Sequence, residues 1–148
     1  MCGRFVLSNF TDVKDFHNVL IEPSYNIAPS HCTLILNQEM RPDFLEWGYS
    51  PIWAKKPMNL INAKYESLDI KPSFKDYETC VFVADGWFEW QKNSRGKKHP
   101  IFIHADNEIF YFAGIKNASG AAIVTIDAHP SLALSLIHIS EPTRQWQI

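Results

Sequence analysis

Cysteine is scarce in this 148-residue chain, which carries only Cys2, Cys32 and Cys80. Their unrelated spacings make neither a disulfide framework nor a paired zinc motif, so no metal is expected and a reducing, cytoplasmic compartment fits. Long apolar runs are missing too. VFVA at 81–84 and LALSLI at 132–137 fall far short of a bilayer span, so no membrane partner is expected. Arg4, Ser8 and Asn9 interrupt the opening of the chain, which therefore lacks the basic-then-apolar pattern of a secretory leader. An excess of positive charge is also absent. The net charge of −2 argues against a protein that coats duplex DNA, because such binding draws on counterion release at many phosphates. No internal repeat is visible, and no low-complexity linker divides the chain.

At 148 residues, 46% of them in the hydrophobic set, the chain is long enough for one domain with a real core and too short for two ordinary ones. Val13, Phe16, Val19 and Leu20 recur at helical spacing, which predicts one amphipathic helix with Thr11 as N-cap and Pro23 as its stop. Most of the remainder reads as short strands: 33–36, 44–47, 80–84, 88–91, 101–104, 109–113 and 122–125. The predicted class is α+β, dominated by a curved, mostly antiparallel, barrel-like sheet with few helices. Asp85-Gly86 is expected to form a tight turn between consecutive paired strands, and residues 93–96 a longer hairpin loop. Ser50–Asn59, with Pro51 and Pro57, is expected to be an irregular loop of the kind that often carries function.

Chemistry is concentrated at a few positions. Removal of Met1 would expose Cys2 as an N-terminal 1,2-aminothiol, whose amine and thiol are both nucleophilic near neutral pH. Such a pair converts an aldehyde first to a Schiff base and then to a five-membered thiazolidine, and a ring-opened sugar is the natural reagent. Position 2 alone equally suits an ordinary terminal thiol. Glu89, in Gly86-Trp87-Phe88-Glu89-Trp90, faces away from Phe88 and Trp90 by strand alternation. If its side is enclosed it suits general acid–base work; the alternative is a glutamate on a wet face. Asn62 can donate and accept at once, or simply form a turn. Trp47 and Trp53 flank Gly48, Tyr49 and Pro51, a composition suited to stacking unpaired bases or to an ordinary core. Lys92, Arg95, Lys97 and Lys98 form either a basic groove or a solvated hairpin tip. His17, His31, His99, His104 and His129 lie on unrelated elements and specify neither a metal site nor a triad.

Five segments in order, MCGRF at 1–5, YNIAPS at 25–30, EWGYSPIWAKK at 46–56, INAKYES at 61–67 and ADGWFEWQK at 84–92, resemble the SOS-response-associated peptidase (SRAP) family. FAGI at 112–115 and IVTIDAHPSL at 123–132 extend the resemblance. It implies that Cys2, once Met1 is lost, crosslinks to abasic sites in single-stranded DNA as a thiazolidine. Glu89 would assist Schiff-base formation and, in the peptidase reading, autocatalytic removal of Met1, and a lyase activity is a further implication. Asn62 would hold the N-terminus and the opened sugar. Arg4 and Lys64 fall where the family contacts phosphates; the family more often has arginine at the second position, and lysine offers a point charge there in place of a bidentate fork. Pro29, Trp47, Gly48 and Trp53 match positions around the DNA groove, and Thr125 lies near the site. No cofactor is implied, and a monomer is expected.

The tail departs from the family pattern. The family's histidine, which helps open the sugar ring, should fall near Leu136, and no Arg-Met-Pro-like segment follows His138. Residues 134–144 look like a translated sequencing-library adaptor, so the expectation is a family domain over 1–133, incomplete at its C-terminus, then a non-native tail over 134–148 in which His138 is coincidental. Two rival functions are a cysteine-type peptidase acting on other proteins, which would need a Cys–His pair, and a non-covalent single-strand binding module built on Trp47, Trp53 and basic residues.

Overall fold

A computed structural model describes residues 3–92, 94–106 and 108–126. Cys2, His129, His138 and the whole of 134–148 lie outside the described residues, so the expectations placed on them rest on sequence alone.

Among the described residues there are ten strands and one α-helix, and the strands form two sheets. The first, in spatial order, consists of β2 (Ser24–Ile27), β1 (Phe5–Leu7), β7 (Gly86–Lys92) and β8 (Lys98–His104). The second runs β4 (Pro42–Glu46), β3 (Cys32–Leu36), β6 (Glu78–Ala84), β9 (Phe110–Asn117), β10 (Gly120–Thr125) and β5 (Asn62–Lys64). Every strand pair is antiparallel except β5 with β10. The α+β, strand-dominated class is therefore present, divided between two sheets. Among the described residues no helix is long and apolar enough to cross a membrane.

Helix α1 (Phe10–His17) differs from its prediction at both ends. Asn9, not Thr11, is the N-cap, its side chain accepting from the Asp12 backbone N–H at 3.2 Å. Asn18 ends the helix in the left-handed region (φ 52°) and donates its N–H to the Lys14 carbonyl, well before Pro23. Asparagine serves both ends because its short amide can accept from a free helical N–H and tolerates positive φ. Only Val13 of the helix is buried. Phe16 and Leu20, expected on the inner face, are 70% and 75% exposed.

Asp85-Gly86 is not a hairpin turn. β6 lies between β3 and β9, whereas β7 lies between β1 and β8, so the dipeptide is the corner at which the chain leaves one sheet for the other. One carboxylate oxygen of Asp85 accepts from the Ser8 N–H (2.6 Å), the Asn9 N–H (2.6 Å) and the Ser8 hydroxyl (2.9 Å). Its own N–H donates to the Val6 carbonyl at 2.9 Å. A single buried acceptor thus ties the β1–α1 connection to the sheet-to-sheet corner. Asp85→Ala strands those donors and should lower stability by about 2–3 kcal/mol in urea unfolding, with Asp85→Asn recovering part because its carbonyl can still accept.

The core lies between the sheets. Phe5, Trp47 and Phe82 are each 0% exposed and meet edge-to-face with centroids 5.1 Å (Phe5–Trp47), 6.2 Å (Phe5–Phe82) and 6.5 Å (Trp47–Phe82) apart. Such aromatic contacts add to the burial of the rings themselves.

Candidate functional site

Alternation along β7 settles the facing of Glu89. Its neighbours in step, Trp87 and Ile103 of β8, pack into the core, and Glu89 is itself only 8% exposed. Phe88 and Trp90 take the opposite face, with Trp90 40% exposed. The enclosed alternative holds, and the wet-face alternative does not.

The start of β1 is aligned with this carboxylate. Phe5 stands opposite Trp87 and Val6 opposite Gly86. One step earlier, the Arg4 carbonyl accepts from the Phe88 N–H at 2.9 Å. An antiparallel strand read backwards at that register carries Gly3 to the level of Glu89. The Arg4 guanidinium folds back to donate to the Gly3 carbonyl at 2.8 Å, which sets a fixed positive charge at this corner.

A second group of predicted residues sits on β5 and β10. Asn62 pairs with Ile123 and Lys64 with Thr125 in parallel register. The Oδ1 of Asn62 is shielded from solvent, Thr125 is 9% exposed and Lys64 is exposed at the strand end. Trp47 joins the two groups from beneath. Its ring rests on Phe5, and its indole N–H donates to the Ile61 carbonyl at 2.9 Å, one residue before Asn62.

Being 0% exposed, Trp47 offers no face to a nucleic-acid base, so of its two sequence readings the core one is correct. Trp47→Ala should cost about 3–5 kcal/mol, measured by thermal or urea unfolding. Trp47→Phe should cost far less, because the Ile61 carbonyl still accepts from the Ile123 N–H at 3.0 Å.

Gly48 likewise plays a structural part. Its N–H donates to the Ala121 carbonyl at 2.9 Å, and a Cβ on Gly120 (φ 145°) would stand 2.5 Å from the Gly48 carbonyl oxygen. Pro29 is half-buried in the turn beside Ser30, whose N–H donates to the Trp47 carbonyl at 2.9 Å. Trp53 is 59% exposed, with its indole N–H on the Pro72 carbonyl at 3.3 Å. It sits in the 50–59 loop, which is irregular as predicted, and it is the one of the two candidate stacking tryptophans that can be reached.

The structure places Arg4 level with Phe88, one step along from Glu89, and Asn62, Lys64 and Thr125 together on β5 and β10, with Trp47 touching Phe5 of the first group and Ile61 of the second. Among the described residues no three His, Cys, Asp or Glu side chains are grouped to hold a metal ion. The sequence shows Asp85 only as part of a turn and not as the acceptor that ties β1–α1 to the sheet corner. Its signal was an acid preceding a glycine, which reads locally as a turn, while its three donors come from residues 76 and 77 positions away.

A model of the SOS response associated peptidase (SRAP) family matches residues 1–143. YoqW of Bacillus subtilis, named an abasic site processing protein, is 37% identical over 133 residues, covering 78% of this chain and 59% of its own length. YedK of Escherichia coli, also named an abasic site processing protein, is 32% identical, covering 99% of this chain and 79% of its own. The crystal structure of a phage-related protein from Bordetella bronchiseptica matches with a TM-score of 0.64 at 28% identity, over 88% of this chain and 70% of that one. This chain thus spans about three-fifths of the length of its Bacillus subtilis relative. With a family model matching residues 1–143, nearly its whole length, the chain belongs to the SRAP family.

Proposed function

We propose that this protein processes abasic sites in single-stranded DNA by forming a covalent thiazolidine crosslink through Cys2, after loss of Met1. The observation that carries the reading is the buried Glu89 on β7, alongside the path by which the N-terminus enters β1. In the reaction, the Cys2 α-amine adds to the C1 aldehyde of the ring-opened sugar. The resulting carbinolamine loses water to give a Schiff base. The thiol then adds to the imine carbon, its proton passing to nitrogen, and the ring closes. Glu89 serves as the acid that protonates the departing hydroxyl and as the base that takes the amine proton. Asn62 orients the opened sugar by donating and accepting, while Arg4 and Lys64 contact the flanking phosphates.

Intact-mass measurement tests this. Incubation with a uracil-containing single strand and a uracil glycosylase should yield a species heavier by the oligonucleotide less one water, from protein that has already lost Met1. Absence of that species, or its formation on protein that retains Met1, overturns the proposal. The names of the relatives favour abasic-site processing over a peptidase acting on other proteins.

A further inference from the structure

In the proposed reaction the N-terminus must arrive level with Glu89, yet the strand that delivers it, β1, is three residues long. A strand so short carries little register information of its own. Its pairing with β2 does not supply the rest, because the register there shifts between Phe5 and Leu7. Burial of Phe5 and Leu7 selects which face of β1 turns inward, but a slip of two residues preserves that facing. Such a slip would carry whatever precedes Gly3 about 6.8 Å along β7, away from Glu89.

Asp85 supplies the stop. It is 4% exposed and lies on the same run of chain as Glu89, at the corner where β7 begins. The hydrogen bonds that its carboxylate accepts from Ser8 and Asn9 grip β1 at the end away from the N-terminus. Beside them the Asp85 N–H donates to the Val6 carbonyl at 2.9 Å, and further along the Phe88 N–H donates to the Arg4 carbonyl at 2.9 Å. Three donors on one anionic oxygen make a directional, charge-assisted clamp. With Ser8 held at residue 85, the antiparallel count places Gly3 at residue 89. A slip of even one residue moves β1 by about 3.4 Å and withdraws Ser8 and Asn9 from hydrogen-bond reach. The buried carboxylate would then lose its donors, which opposes the slip.

We propose that Asp85 is a positioning residue for adduct formation: by holding Ser8 and Asn9 it sets the register of β1 on β7, and so the level at which the N-terminal aminothiol meets Glu89. Its carboxylate is engaged by Ser8 and Asn9, so it acts through β1 and not on the sugar. The role rests on the proposed function for what the N-terminus does beside Glu89.

The test is the rate of adduct formation by the full chain with a saturating uracil-containing single strand and a uracil glycosylase, at a temperature where each variant is folded. Asp85→Asn keeps the shape of the side chain but not its charge and should slow the reaction roughly tenfold, and Asp85→Ala roughly a hundredfold, the scale on which a displacement of about 1 Å acts. Ser8→Ala removes one donor and leaves both backbone N–H groups, so its rate should stay within about threefold of the parent. The control for each variant is the parent protein brought to the same stability with urea. It should react at nearly the parental rate, because modest destabilisation leaves almost every molecule folded. In Asp85→Asn the Phe88 amide should also exchange with deuterium about tenfold faster than in its control, reporting a loosened ladder. Rates in Asp85→Asn and Asp85→Ala equal to those of their controls overturn the positioning role and leave Asp85 a residue of stability alone. Slower reaction without faster Phe88 exchange overturns it too, since the register would then be intact. A parent protein that forms no adduct refutes the crosslinking function itself, and the positioning role with it; a reactive parent beside slowed, faster-exchanging variants sustains both.

Discussion

Cys2→Ala should abolish the stable abasic-site adduct entirely. The thiazolidine needs an amine and a thiol on one residue, and the other cysteines cannot supply that pair, since neither is N-terminal. Cys80 is further disqualified: it is 6% exposed, and burial pushes its thiol up to about 12 despite the opposing pull of Lys116, so the reactive thiolate is scarce at neutral pH. Cys32 is exposed and able to meet an aldehyde, but a lone thiol gives only a readily reversed hemithioacetal. Alanine at position 2 preserves a small residue for Met1 removal and an α-amine that still forms a Schiff base. The variant should therefore yield no adduct that survives denaturation, yet yield a secondary-amine adduct when borohydride is added during incubation. That contrast separates the two halves of the chemistry. A stable adduct in Cys2→Ala without reductant would refute the assignment.

What the sequence disclosed follows from the range over which each signal acts. Strand alternation is local and sets Glu89 on the side away from Phe88 and Trp90, but that this side is the enclosed one is decided only by the packing of Trp87 and its cross-strand partner Ile103. The seven predicted strands were legible for the same reason. β1, β2 and β5 were not, because segments of three or four residues are too short to show a period of two. Pairing was less legible still. Asp85-Gly86 carries the local chemistry of a hairpin, yet its carboxylate answers to Ser8 and Asn9, far away in sequence. Trp47 illustrates the limit for function. Its setting suits a stacking surface or a core equally, and only the Phe5 contact and the Ile61 hydrogen bond decide between them.

Glu89→Gln should slow adduct formation by about a hundredfold to ten-thousandfold, the usual contribution of a positioned acid–base group, with little change in the affinity for lesion-free DNA. Glutamine keeps the shape of the side chain, so the enclosed space beside β1 stays filled and the fold should be held. It can donate and accept hydrogen bonds but cannot exchange a proton at the carbinolamine stage. The alternative account makes Glu89 a structural acceptor whose loss disturbs the β1–β7 ladder. That account predicts a fall in stability that accompanies the fall in rate, whereas the acid–base account predicts rate loss at near-parental stability. Glu89→Asp discriminates further: it keeps the carboxyl but draws it back by one methylene, so part of the rate should return, most clearly when the sugar is saturating. Rates in Glu89→Gln within a few-fold of the parent would remove the carboxylate from the mechanism and leave the N-terminal aminothiol to react unaided.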